Sequence, residues 1–518
     1  MAQLTSEAVE EKLYDDAPSP AGNSSKDRST PRARSFDPAN FVLALALCGS
    51  IAIWFLTIRS AFWLDETISY WESSGGFWQI WARQSLSFPI YSYILWATKS
   101  LFGASEVVLR MPSVLAMLAA AYVAYRIARE LFDPDVAAIV TVVFCLHPIV
   151  AFEAVDARPY AFAVLMVNCA ILSFLRWMKT NSTRHAILFG ASAAGIFYFH
   201  YLFGVLLPAF ALGFIALRGW QWRSYVPKLG AAAVPFILMM SLVIAPLLFL
   251  FRTSQTHVSE PSPKLSDMLS TVAPGHVIAL LFIGLIFTAG MLRKLQNPNE
   301  EFLSTGLICL FLAAVPLIFL YDVSAVTSVH VFADRYRLVA VPGVALCWGF
   351  LVSCVASKRI RVVFCLVLAV LTLSGLPLAT LSVDNPHRYS WKYALEVADK
   401  SARADNAPLL ICSDVPESNF EPMPADVYAA TNTAFAPIFY YKVHSRVVPL
   451  PRALNGEAMA QINKFLSTAT PAKQRFLVLG YLASEDTFSW ITERTTDSYV
   501  AHNLGTTDGV TVMEYRPR

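Results

Sequence analysis

The chain is 518 residues long, 56% hydrophobic and 13% aromatic, with only 15% charged residues. That is too apolar for an ordinary soluble enzyme of this size and implies a polytopic α-helical membrane protein. The formal net charge of +3 gives no ground for expecting nucleic acid as a partner; the informative charges are those between the apolar runs.

Residues 1–40 are rich in Ser, Pro and charged side chains and predict a disordered cytoplasmic tail. Apolar runs of about 17–25 residues are the helical unit of a bilayer. Such runs fall near 41–58, an uncleaved anchor, and near 107–128, 136–153, 159–178, 229–251, 276–292, 302–320, 338–356 and 361–381. The stretch 186–217 is interrupted at His200-Tyr201 and reads as two short helices, so a membrane domain over 41–383 has about eleven spans. With the N-terminus inside, Arg126, Arg129, Arg176, Lys179, Arg184, Arg218, Arg223, Lys228, Arg293, Lys294, Lys358, Arg359 and Arg361 all fall in inner loops, as the positive-inside rule requires. The stretch 88–102 is short for a span, and counting it would place those loops outside; it reads as an interfacial or re-entrant helix. The sequons at Asn23 and Asn181 lie on the inner side and should not be glycosylated.

The first outer loop, 59–106, carries Phe62-Trp63-Leu64-Asp65-Glu66-Thr67-Ile68-Ser69-Tyr70-Trp71-Glu72. Two adjacent carboxylates among aromatics at a membrane surface are costly to desolvate, which points to a use for them. The plainer reading is a solvated loop turn, or an interfacial helix with Trp63, Trp71 and Trp78 at headgroup level. Arg110 opens the next span, where a basic residue runs against the charge bias; function and simple anchoring are both open to it. The turn Phe152-Glu153-Ala154-Val155-Asp156-Ala157-Arg158-Pro159-Tyr160 falls on the same side, with a structural Asp156–Arg158 salt bridge as the alternative to a substrate site. His200 and Tyr201 form either an interfacial cap or a donor to phosphate. In Ala333-Asp334-Arg335-Tyr336-Arg337, Arg335 and Arg337 suit an oxyanion such as a lipid phosphate, because a guanidinium forks onto two oxygens.

From about 384 the composition becomes that of a soluble domain. Helical patterning at 391–400 and 459–466 alternates with strands at 408–412, 446–450, 475–480 and 510–515, predicting a small extracytoplasmic α/β domain over 384–518. It carries no catalytic motif, and a docking or lid role is left open for it. Seven of the eight cysteines sit in apolar runs and Cys412 is alone in the C-terminal segment, so no internal disulfide is expected there, and no pair has metal-ligand spacing.

One outer face thus collects carboxylates at 65, 66 and 156 with arginines at 110, 158, 335 and 337. A transferase with an anionic lipid donor needs a base for the acceptor hydroxyl and cations for the departing phosphate. The order of motifs supports this: the acidic pair, then Phe88-Pro89-Ile90-Tyr91, Leu101-Phe102-Gly103, Ser105-Glu106, Leu109-Arg110-Met111-Pro112-Ser113, Ala128-Arg129-Glu130-Leu131-Phe132 and Ala157-Arg158-Pro159-Tyr160-Ala161. The pattern resembles the GT-C glycosyltransferases, in particular the bacterial branch related to dolichyl-phosphate-mannose protein mannosyltransferases, aminoarabinose transferases and lipopolysaccharide galacturonosyltransferases. Arg335-Tyr336 before a helix with Pro342, and Tyr389-Ser390-Trp391-Lys392 at the start of the outer domain, are similar to further family motifs. Phe88-Pro89 stands where relatives often have Pro-Pro or His-Pro-Pro, a departure from the protein mannosyltransferases.

The resemblance implies a GT-C fold and an inverting transfer of a monosaccharide from a polyprenyl-phosphate donor to an extracytoplasmic glycolipid, polysaccharide or protein. It implies Asp65 as catalytic base with Glu66 supporting it or binding the acceptor, and Arg110, Arg158, Arg335 and Arg337 around the donor phosphate. Asp156, Tyr160, His200 and Tyr201 are candidates for substrate binding. No cofactor is implied with certainty; a divalent metal ion is left open, since some GT-C enzymes use one and others do not. The expected location is a bacterial inner or plasma membrane, with the site and C-terminus outside. The competing classes are a transporter or flippase for lipid-linked glycans, which would carry repeats and charges at midplane, and a non-catalytic relative that binds a partner.

Overall fold

In lipid, apolar segments must pair their own backbone N–H and C=O groups, and the described residues up to 375 are accordingly mostly helical. The computed structural model describes residues 38–83, 89–218, 223–257, 262–273, 284, 291, 300–375, 391–412, 435–481, 485–507 and 509–518. Six helical stretches among them are long and apolar enough to cross a membrane: Glu106–Leu131, Tyr160–Thr180, Tyr201–Arg218, Arg223–Ala245, Glu300–Val326 and Asp334–Ser353. The shorter apolar helices Pro38–Trp54 and Pro134–Leu146 join them, tied where Trp54 Nε1 donates to the Cys145 carbonyl at 3.0 Å. Residues 1–37 of the expected tail lie outside the described residues, as does the 276–292 run apart from Gly284 and Met291. The last run is helical over Lys358–Gly375, with 376–381 again outside them.

Two apolar runs break at polar residues. The 136–153 run is not one helix: it divides into Pro134–Leu146 and Pro148–Glu153. Pro148 has no N–H to continue the ladder, and His147 Nδ1 accepts from the Ile149 amide at 3.3 Å to start the second piece. The 186–217 run divides as read, into Thr183–Phe199 and Leu207–Arg218, joined by a 3₁₀ turn at Tyr201–Leu206. The 88–102 stretch forms the helix Ile90–Phe102.

Glycine sets the closest helix crossings. A Cβ at Gly190 would collide with the Ala232 carbonyl, and one at Gly343 with the backbone of Leu312 and Ala313. Small residues at such crossings let backbones approach where lipid supplies no hydrophobic drive. A buried amide adds a polar tie, Asn168 Nδ2 donating to the Ala120 carbonyl at 2.9 Å.

The C-terminal part is a five-stranded sheet in the order β2-β1-β3-β5-β4, with β1 Leu409–Cys412, β2 Val447–Leu450, β3 Phe476–Tyr481, β4 Tyr499–Thr507 and β5 Val510–Pro517. β1 runs parallel to β2 and β3, whereas β5 is antiparallel to both β3 and β4. Alternate residues feed two cores. Leu409, Ile411, Leu477 and Leu479 pack with Trp391, Leu395 and Ala398 of the helix Trp391–Arg403. Leu410, Phe476 and Val478 pack with Ile462 and Leu466 of Gly456–Ala469 and with Phe488 and Ile491 of Glu485–Thr495. The first core also receives Leu64 and Ile68 from the helix Leu64–Glu72, so the sheet rests on the element that carries the acidic pair.

Candidate active site

The segment 57–63 has no regular structure of its own to satisfy its carbonyls, and a buried arginine does so instead. Arg110 Nη1 donates to the Ile58 and Ser60 carbonyls at 3.0 and 2.7 Å and to Ser60 Oγ at 3.0 Å, while Nη2 reaches the Ala61 carbonyl at 3.2 Å. The remaining face of the guanidinium forks onto Glu66, Nε to Oε1 at 2.7 Å and Nη2 to Oε2 at 2.6 Å, with both side chains fully buried. Glu66 also accepts from the amides of Ala157 at 2.9 Å and Trp63 at 3.3 Å. This ion pair pins the entry of the Leu64–Glu72 helix to the Asp156 turn.

Asp65, next along the helix, points the other way. Its side chain is 23% exposed and its Oδ2 lies 3.8 Å from Arg158 Nη2. Arg158 Nη1 donates to the Asp65 carbonyl at 3.3 Å and to Ser69 Oγ at 3.2 Å. Asp156 is buried beneath, its Oδ1 accepting from Trp63 Nε1 at 3.0 Å. An aromatic row closes the site: Arg158 lies over the Tyr160 ring, His200 packs on Tyr160, Tyr201 and Tyr336 at 5.1, 5.6 and 5.2 Å, and Arg335 lies over Tyr336 at 5.0 Å.

The electrostatics follow from burial. Desolvation, then the charges of Glu66 and Glu153, push Asp156 well above the usual carboxylate range, against the Trp63 hydrogen bond and Arg158. Burial followed by Arg158 and Arg335 lowers His200 to about 3, so the imidazole is neutral at ordinary pH. Arg158 pays a desolvation cost, but Asp65 and its other anionic neighbours raise its pKa and keep it charged. Arg158 Nε and His200 Nδ1 are buried without a hydrogen-bond partner, and the Asp156 carboxyl meets that of Glu153. The cluster therefore offers acceptor, donor and cation to a polar ligand that it does not itself supply.

Of the residues expected at the site, Asp65, Asp156, Arg158, Tyr160, His200, Tyr201 and Arg335 come together. Three do not fit their expected roles. Arg110 has all five N–H groups engaged inside the protein and faces no phosphate site. Its partner Glu66 is fully buried in that pair and reaches no acceptor. Arg337 turns away to the helix Leu265–Val272, where it donates to the Asp267 carbonyl and Thr271 Oγ1 and pairs with Asp334. His147 and Trp348 bind the last carbonyls of that helix, at Thr271 and Val272. The Asp156–Arg158 salt bridge, the alternative to a substrate site, is not formed; Arg158 pairs with Asp65 instead. Trp63, read as a headgroup anchor, instead orients Asp156, and Glu153, one helical turn before Asp156, adds a second buried carboxyl. Their spacing at the end of a span was the available signal for Glu153. Among the described residues no three His, Cys, Asp or Glu side chains converge as metal ligands.

Residues 87–249 match a family model described as dolichyl-phosphate-mannose-protein mannosyltransferase. The fold is similar to that of ArnT from Cupriavidus metallidurans in the apo state, with 12% identity, TM-score 0.58, and 92% of this chain and 98% of that chain covered. The same protein bound to undecaprenyl phosphate gives a TM-score of 0.57 at the same identity and coverage. An Archaeoglobus fulgidus oligosaccharyltransferase tethered to an acceptor peptide is more distant, at 12% identity and TM-score 0.46 over 93% of this chain and 74% of that one. Among curated proteins, no sequence matches the chain. Alike in fold over nearly its whole length, and in sequence pattern over 87–249, the chain is a multi-pass membrane protein with the fold of the GT-C glycosyltransferase superfamily.

Proposed function

We propose that the protein is an inverting glycosyltransferase that moves a monosaccharide from a polyprenyl-phosphate donor to an acceptor hydroxyl outside the cytoplasmic membrane, on a glycolipid, polysaccharide or protein. The observation that carries this is the unequal fate of the acids: Asp65 alone of the three expected carboxylates is part-exposed, and it faces an arginine. Asp65 takes the proton of the acceptor hydroxyl. The hydroxyl oxygen bonds to the anomeric carbon as the bond from that carbon to the phosphate oxygen breaks, and attack opposite the leaving group inverts the centre. The electron pair leaves with the lipid phosphate, whose added charge is met by Arg158 and Arg335. Tyr160, His200 and Tyr201 line the sugar and phosphate path, and the lipid tail stays in the bilayer.

The matched family model and the undecaprenyl phosphate bound by the ArnT neighbour support this reading. The charges gather at the ends of helices, where a lipid-glycan transporter would need them nearer the midplane. The test is transfer of radiolabelled sugar from a panel of synthetic polyprenyl-phosphate sugars in membranes expressing wild type or Asp65→Asn. Label in product only with wild type is the expected result. Full transfer by Asp65→Asn overturns the assignment of the base, and the absence of both transfer and donor binding overturns the enzyme class.

A further inference from the structure

We infer that Tyr441 of the C-terminal sheet domain is a positioning residue for Asp65: one phenol hydroxyl fixes the segment that leads into the acidic helix. The kinetic consequence rests on the proposed glycosyl transfer; the positioning itself does not.

The segment before the helix is held from two sides. Its carbonyls at Ile58, Ser60 and Ala61 accept from Arg110 in the bundle, and the Trp63 amide donates to Glu66. Phe62 is fully buried between them, and its amide donates to the Tyr441 hydroxyl at 2.6 Å, across 379 positions of sequence. A buried amide without an acceptor is costly, so this bond fixes where residue 62 stands.

Tyr441 is itself well supported. The neighbouring Tyr440 ring lies 4.8 Å from both Phe62 and Tyr70, bracketing the helix at its start and in its second turn, and its hydroxyl donates to the Ala104 carbonyl at 2.8 Å. Lys392 approaches Glu106 to 3.6 Å beside it. Behind the two tyrosines, Asp399 accepts from the amides of His444 and Ser445 at 2.9 and 3.1 Å and ties their turn to the helix Trp391–Arg403. An unbroken series of contacts therefore runs from the sheet to Phe62. From there Trp63 carries it to Asp156 through the indole hydrogen bond, and Asp65 follows two residues on. A shift at Phe62 moves Asp65 against Arg158, whose turn, shared with Asp156, belongs to the bundle and stays in place.

Tyr441→Phe removes the oxygen and keeps the ring. In purified full-length protein, hydrogen–deuterium exchange over 60–70 is expected to speed up about fivefold, the loss of one hydrogen bond, with 114–128 and 391–403 unchanged. Unchanged exchange over 60–70 overturns the inference, whatever the protein's substrate. In transfer assays kcat per folded molecule is expected to fall about tenfold at unchanged donor KM, with the thermal midpoint lowered by no more than the loss of one hydrogen bond, because geometry and not binding is lost. A lowered midpoint with kcat per folded molecule unchanged makes Tyr441 a structural residue and overturns the positioning role. Should wild type transfer no sugar from any polyprenyl-phosphate donor, the proposed function fails, while the exchange result still decides for or against Tyr441.

Discussion

Asp65 and Glu66 are neighbours in sequence with opposite surroundings. Successive residues of a helix point about 100° apart, so one carboxylate enters the bundle to meet Arg110 while the other looks out toward Arg158. Substitution should separate them. Removing one partner of a buried ion pair costs about 3–5 kcal/mol; a part-exposed pair contributes about 0–1 kcal/mol. Glu66→Gln is therefore expected to lower the thermal midpoint in detergent strongly and to lose activity with the fold. Asp65→Asn should lose activity and melt within a few degrees of wild type. The residue types of the site were legible in the sequence, because charges at a membrane surface stand out against an apolar background. Which of them would be consumed by one another was not: Arg110 and Arg337 have the same chemistry as Arg158, and only the fold decides that carbonyls and Glu66 claim the first and the Leu265–Val272 helix the second.

At the scale of elements, the helical spans declare themselves by length and apolarity and one break by His200-Tyr201, whereas the break at His147-Pro148 was not read, because a single proline leaves the apolar run uninterrupted. Missed were β4 and the helix Glu485–Thr495. β4 is an edge strand, mostly exposed, with an irregular register between Asn503 and Gly505, so its alternation is blurred. The helix buries only Thr487, Phe488, Ile491 and Thr495, too little for a clear apolar stripe. Glycine crossings give a sharper expectation. Gly343→Ala should cost about 1–3 kcal/mol of stability by overpacking against Leu312, read as a lowered unfolding midpoint. Within the sheet domain, Asp399 gives a pH test. Burial would raise its pKa, but the amide and side chain of His444, with Arg403 and Ser445, hold it at about 2, below the ordinary 3.8. A depressed carboxylate stabilises fully above its unfolded pKa and loses that contribution as pH falls through the folded one. Asp399→Asn should thus cost about 2 kcal/mol at neutral pH. The gap between wild-type and variant midpoints should close between about pH 4 and pH 2.

For the whole molecule, the distribution of basic loops predicts which end of the bundle faces outward, and a labelling experiment reads it directly. Glu457→Cys, exposed on the sheet domain, is expected to react with a membrane-impermeant thiol reagent on intact cells. Arg184→Cys, exposed in the first turn of the helix Thr183–Phe199, is expected to react only after the membrane is opened. The reverse pattern would put the acidic helix in the cytoplasm and remove the proposed site from its substrates.

The long reach from Phe62 to Tyr441 also sets an order in time. The segment that bears the acidic helix is synthesised early, yet its last hydrogen-bond partner is 379 residues further along. At about 5–20 residues per second, that partner leaves the ribosome roughly 20–75 s later. A chain cut short anywhere before residue 441 can fill the membrane with most of its helices and still lack the final fastening of its reaction centre. Under the proposed function, completion of synthesis is then the arming step of the enzyme.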